Sequence, residues 1–164
     1  MASTEIIVVG IDPGSVKTGY GVIQRQSDRR FRVLDYGVIR TKSKTALPTR
    51  LLQIYQGLDD VLKKHNPDAV AVEQVFVQRH ARSALVLGHA RGIALVVAEL
   101  SGASVHEYAP AEIKKNVSGS GRATKDQVQL MVSQLLGLQK IPPEDAADAL
   151  AVALSHAMRR ELDV

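Results

Sequence analysis

Residues 5–12 (EIIVVGID) are almost continuously apolar and β-branched, the pattern of a strand buried on both faces, and Pro13-Gly14 ends it. Segments 19–26 (GYGVIQRQ) and 31–40 (FRVLDYGVIR) alternate apolar and polar positions about the polar turn SDRR, which predicts an antiparallel hairpin beside the first strand. Leu51, Leu52, Tyr55, Leu58, Val61 and Leu62 recur at helical spacing until His65-Asn66-Pro67 breaks the helix and hands over to a strand at 69–74. A long helix over 83–100, a short strand at 104–108 and a helix from Pro110 follow, and two helices near 125–137 and 143–160 finish the chain. The order βββαβαβααα, without internal repeat or low-complexity linker, predicts one α/β domain over residues 1–164. Its core is a five-stranded mixed sheet, antiparallel in its first three strands, with helices on both faces, because parallel neighbours require helical crossovers.

Acidic side chains stand where several of these apolar segments stop. Asp12 ends the first strand, Glu73 ends the 69–74 strand, and Asp145 and Asp148 open DAADALAVAL. A carboxylate beside a buried strand or on an apolar helix face loses hydration, and several together repel unless a cation joins them. Oxygen-only donors suit magnesium or manganese, and pairs of such ions about 3.5–4 Å apart catalyse in-line attack on phosphodiesters. The pattern therefore predicts a metal-dependent nuclease. Each acid also has a plainer use. Asp145, behind Pro142-Pro143, complements a helix dipole; Asp12 suits an Asx-turn before Pro-Gly; Glu73 ends a strand. Asp148, within a run of Ala, Leu and Val, is the hardest to explain without a partner.

Lys plus Arg number 21 against 17 Asp plus Glu, a formal charge of +4. With several acids sequestered in one pocket, the remaining surface is more basic still, which favours a polyanionic partner. The N-terminus has neither a basic run nor a long apolar stretch, and the longest apolar run, IALVVA, is too short to span a bilayer, so no membrane association and a cytoplasmic location are expected. Absence of cysteine excludes disulfides and thiolate metal sites, and no two of the five histidines have the short spacing of a zinc site. His156 is too far along its helix from Asp145 to share an ion and is expected to be structural or interfacial.

Among the basic residues, Lys125 breaks a local rule. Thr124 and Gln127 form a capping-box pattern, so Lys125 falls in a first helical turn, where the macrodipole disfavours a cation. Together with Ser118-Gly119-Ser120-Gly121-Arg122 it suggests a flexible loop presenting charge and backbone amides to phosphates. Lys114 and Lys115 are read as the last turn of a short helix, where cations are favourable in any case. Helix 83–100 is apolar around most of its circumference, with Gly88 and Gly92 four residues apart. It is either a fully buried core helix or one that packs on the sheet with one face and on a twofold partner with the other.

The stretches GIDPGSVKTGYGVI (10–23), VEQVF (72–76), SALVLGHARG (83–92) and DAADALAVALSH (145–156) resemble the RuvC family of crossover (Holliday) junction endodeoxyribonucleases, and the likeness runs nearly end to end. The resemblance implies an RNase H-like fold, a homodimer, and paired incisions across a four-way DNA junction with two Mg2+ ions per active site, for which Mn2+ can substitute. It places the family's catalytic and metal-binding acids on Asp12, Glu73, Asp145 and Asp148. It marks Lys114 and Lys125 as positions for DNA binding and phosphate stabilisation, with Lys115 and Arg122 beside them. Phe76, otherwise a candidate core plug, becomes an aromatic wedge at the junction centre. The following VQRHARS is more basic than the family pattern, so Arg79, His80 and Arg82 are expected to strengthen backbone binding, which leaves the cut-site preference open. A branch-migration complex of the RuvA and RuvB type is the implied partner. Two rival readings are an actin-like or sugar-kinase phosphotransferase lobe, for which the chain is too short, and a non-catalytic junction-binding module of the same fold.

Overall fold

The computed structural model describes residues 5–74 and 79–159. Its elements are β1 (Ile6–Asp12), β2 (Lys17–Arg25), β3 (Phe31–Arg40), α1 (Leu47–His65), β4 (Ala69–Glu73), α2 (Ala81–Leu100), β5 (Ser104–Tyr108), α3 (Pro110–Ser118), α4 (Lys125–Leu136) and α5 (Glu144–Ala157). The five strands form one sheet in the order β3-β2-β1-β4-β5. β1 pairs antiparallel with β2, and β2 with β3, while β1–β4 and β4–β5 are parallel. All ten elements lie where the hydrophobic pattern puts them; the shifts are at ends, β2 starting at Lys17 and α2 at Ala81, within the ordinary fraying of boundaries. The hydrophobic pattern gives no sign of the irregularity in the β2–β3 ladder at Val22/Ile23.

Period-2 alternation divides the sheet between two cores. Val9, Ile11, Val22, Val70 and Val72 face α1 and α2, packing on Ile54, Leu58, Leu62, Ala94 and Val97. Val8, Ile23, Ala69 and Ala71 face α5 with α3 and α4 beside it, packing on Leu150, Ala153, Leu154 and Val132. Each fully buried Val, Leu or Ile contributes roughly 1.5–3 kcal/mol of transfer free energy. Because β1 is covered on both faces, its near-continuous apolar run has a direct cause.

α5 sits unusually close to the sheet. A Cβ at Gly10 would lie 2.1 Å from the Ala149 carbonyl oxygen, one at Gly19 would lie 1.9 Å from that of Asp145, and one at Gly21 would meet Leu150 at 2.7 Å. Alanines on the helix (Ala146, Ala149 and Ala153, all fully buried) complete the fit.

The turn after β1 is pinned from three directions. The Thr18 hydroxyl donates to the Gly14 carbonyl at 2.7 Å, the Thr41 hydroxyl donates to the Ser15 carbonyl at 2.7 Å, and the buried Arg50 guanidinium donates to that same Ser15 oxygen. The end of β1 is therefore held rigidly where Asp12 emerges.

By length and composition α2 is long and apolar enough to cross a membrane, which the run IALVVA alone did not suggest, since the helix continues that apolar character for 20 residues. Its Ala90, Ala94, Val97 and Ala98 are buried against the sheet side, whereas Leu85 (67% exposed), Val96 (52%) and Leu100 (67%) are open. Of the two readings of this helix, that of a fully buried core helix is thus not met within the chain.

Replacing a strand glycine by alanine ordinarily stabilises by restricting the unfolded chain. Gly10→Ala is expected to do the reverse, lowering stability by about 1–3 kcal/mol in urea denaturation, because α5 must be pushed off the sheet.

Candidate active site

Asp12 and Glu73 are the terminal residues of β1 and β4. The parallel register, with Ile11 opposite Val72, brings the two strand ends side by side. Alternation then puts both on the α5 face, in step with Val8 and Gly10 on one strand and Ala69 and Ala71 on the other. The first turns of α5 cross directly above. Gly19, which pairs with Asp12 in the ladder, carries the Asp145 main chain on its bare face, and Asp148 follows one turn later.

The charges behave as a crowded, partly dehydrated set. Asp12 is pushed up to about 8, first by burial and then by the charges of Glu73, Asp148 and Asp145. A hydrogen bond between the two carboxyls raises Asp12 further and lowers Glu73. Burial also raises Glu73, with the charge of Asp148 adding to it and those of Lys125 and Lys114 opposing it. Asp148 is raised by burial and by the charges of Glu144 and Asp145, against a hydrogen bond from Lys125. Lys125 Nζ donates to Asp148 Oδ2 at 3.2 Å and also to Glu144 Oε1. For Lys125 itself, burial lowers the pKa but these two bonds outweigh it, and the net shift is upward.

Two of the acids, Glu73 and Asp148, line a cleft of about 280 Å3, with Lys114 and Lys125 beside them and Ile113, Val128 and Val152 among its apolar residues. Among the described residues, no three acidic or histidine side chains are drawn in to the coordination shell of an ion. Burial and mutual repulsion favour the protonated form of Asp12, and the Lys125 ammonium sits against Asp148. That donor set fits a hard divalent cation: its donors are oxygens, and its excess negative charge is what such a cation would relieve.

The structure brings Asp12, Glu73, Asp145 and Asp148 into one electrostatic cluster and sets Lys114 and Lys125 on the same cleft. Lys115 and Arg122 are exposed and do not line it; Arg79 and Arg82 are exposed around the start of α2. Phe76 lies outside the described residues. Two expectations change. Lys114 is the fifth residue of the nine-residue α3, and only Lys115 falls in its last turn. The 118–122 loop, expected to be flexible with free amides, is closed on itself. Ser118 Oγ donates to the Lys114 carbonyl, and the amides of Ser120 and Arg122 are taken by the Ser118 and Ser120 hydroxyls. Serines at i and i+2 satisfy this backbone locally, so those amides are not offered to a phosphate. The capping box of α4 is present as expected, with the Thr124 amide donating to Gln127 Oε1 and the Gln127 amide to Thr124 Oγ1.

Glu144 is the residue near the site that sequence reasoning passed over. Its position in a first helical turn has an ordinary dipole explanation, and its i,i+4 spacing to Asp148 was the only signal. His156 is structural: it is buried, its Nδ1 lies 2.7 Å from the Tyr108 hydroxyl, and burial together with the charges of His106 and Arg159 pulls it down to about 4.

Residues 8–156 match the family described as crossover junction endodeoxyribonuclease RuvC. A RuvC of Citrifermentans bemidjiense is 50% identical over 152 residues, covering 93% of this chain and 92% of that protein. One from Alkaliphilus oremlandii is 48% identical over 153 residues, covering 93% of each. Among solved structures, Thermus thermophilus RuvC in complex with a Holliday junction substrate superposes with a TM-score of 0.88 at 38% identity and 93% coverage of both chains. The yeast mitochondrial Holliday junction resolvase Ydc2 shares the fold at 15% identity, with a TM-score of 0.66 over 92% of this chain and 78% of that one. An end-to-end match at this identity, on a sheet that gathers acids from β1, β4 and α5, places the chain in the RuvC family of crossover junction endodeoxyribonucleases.

Proposed function

We propose that this protein is a structure-specific endodeoxyribonuclease that resolves four-way DNA junctions by paired, symmetric phosphodiester hydrolysis in recombination and repair. The observation that carries this reading is the electrostatic gathering of Asp12, Glu73, Asp145 and Asp148 beside a cleft lined by Glu73, Asp148, Lys114 and Lys125. Two Mg2+ ions, or Mn2+ in their place, would activate a water at phosphorus and stabilise the leaving 3′ oxygen. Asp12, Glu73, Asp145 and Asp148 are the residues that would hold them. Lys114 and Lys125 meet the phosphate oxygens, while Lys115, Arg122, Arg79 and Arg82 supply charge along the flanking backbone. Phe76 is assigned the part of a wedge at the junction centre.

Symmetric cleavage calls for a second site. Leu85, Gly88, Gly92, Val96 and Leu100 fall on one stripe of α2, and a Cβ at either glycine would meet nothing within 4 Å. An open apolar stripe with a bare centre suits a second copy of the chain related by a twofold axis. A cytoplasmic dimer working with a branch-migration complex of the RuvA and RuvB type completes the proposal.

Three outcomes test it. Asp148→Asn should still shift a synthetic four-way junction in EDTA, while its nicking rate in Mg2+ falls by at least about a hundredfold; normal cutting would refute the assignment. Val96→Lys should sediment as a monomer and lose paired incision.

The third outcome concerns Asp12 in EDTA. Between its ordinary value of 3.8 and about 8, the folded protein holds a proton that the unfolded chain has released. Stability therefore falls as pH rises through that window. Asp12→Asn, which mimics the protonated acid, removes that slope. The two proteins should diverge in unfolding free energy by at least about 1 kcal/mol from pH 5 to pH 8, the variant being the more stable. Parallel curves would show that the carboxyl is not under electrostatic load.

A further inference from the structure

Lys125 is held by two acids that differ in place. Asp148 lies at the inner end, its side chain 30% exposed, and Glu144, one turn earlier on α5, lies outward with 69% exposed. The ammonium donates to both, and the charge of Lys17 also acts on Glu144. If a divalent cation takes Asp148, the ammonium loses its inner partner and is repelled by the ion. A lysine with four rotatable side-chain bonds would then swing into solvent, away from the cleft where the phosphate must lie. Glu144 is left free to hold it, because its exposed carboxylate does not line the cleft.

We propose that Glu144 is a positioning residue: it retains Lys125 at the cleft mouth once a cation has displaced the lysine from Asp148, and so keeps the ammonium poised for the scissile phosphate. The inference rests on the nuclease reading of the acids. It gives Lys125 two alternative anchors on one helix face, spaced i,i+4, with the inner one given up when the site fills.

The test is amine acetylation of the full-length protein, read by mass spectrometry at Lys125 and at the exposed Lys140, with and without Mn2+ and with no DNA present. In EDTA, Lys125 should be protected in both wild type and Glu144→Gln, since Asp148 still holds it. With Mn2+, wild type should stay partly protected, whereas Glu144→Gln should react as fast as Lys140. Equal protection of the two proteins in Mn2+, or full reactivity of wild type there, would overturn the proposal. Mn2+ binding followed in parallel by electron paramagnetic resonance separates this from failure of the site reading: if no ion binds, the nuclease site itself is wrong and the inference goes with it. In junction cleavage, Glu144→Gln should lower kcat about tenfold with KM within about twofold, and should add nothing to the loss already caused by Lys125→Met. Additive losses would mean that Glu144 acts independently of Lys125. Glu144→Ala, at the same exposed position, should reproduce each result.

Discussion

Helix α5 rests on the backbone of β1 and β2 because Gly10, Gly19 and Gly21 present no side chains to it. Everything at the site depends on that approach. An ordinary helix–sheet separation would carry Asp145 and Asp148 away from the ends of β1 and β4, and the acids would face solvent singly. The helix meets the glycines with alanines, so contact is made through backbone and methyl groups at close-packed density, leaving no play in the placement of the carboxylates.

Close approach creates the electrostatic load. Carboxylates drawn from three elements into a half-buried cluster resist ionising together, so Asp12 is pushed up to about 8 and the ammonium of Lys125 sits on Asp148. A divalent cation would relieve the same repulsion with higher charge and shorter contacts. The basic residues around the cleft balance the charge of the pocket.

The opposite face of the sheet does different work. α1 and α2 close the second core, and the stripe Leu85–Gly88–Gly92–Val96–Leu100 remains on the outside. The clustered acids and the proposed dimer surface thus lie on opposite sides of one sheet, with the turn after β1 clamped by Thr18, Thr41 and Arg50.

The order and kind of all ten elements followed from hydrophobic period alone, since the run of β1, the alternation of β2 and β3 and the helical spacing of α1 each reflect which faces are covered. The acids of interest were legible for a related reason: a carboxylate at the end of an apolar run is costly and so stands out. The amino-acid sequence could not decide partnership. That Gly10, Gly19 and Gly21 serve close packing and that Lys125 divides its ammonium between Asp148 and Glu144 are consequences of distances between residues up to 143 positions apart, as with Gly10 and Ala153, while the Ser118 and Ser120 hydroxyls consume loop amides that had looked available to phosphate. Local chemistry is written along the chain, whereas the load on a charge depends on what packs beside it, and only the folded sheet and helix settle that.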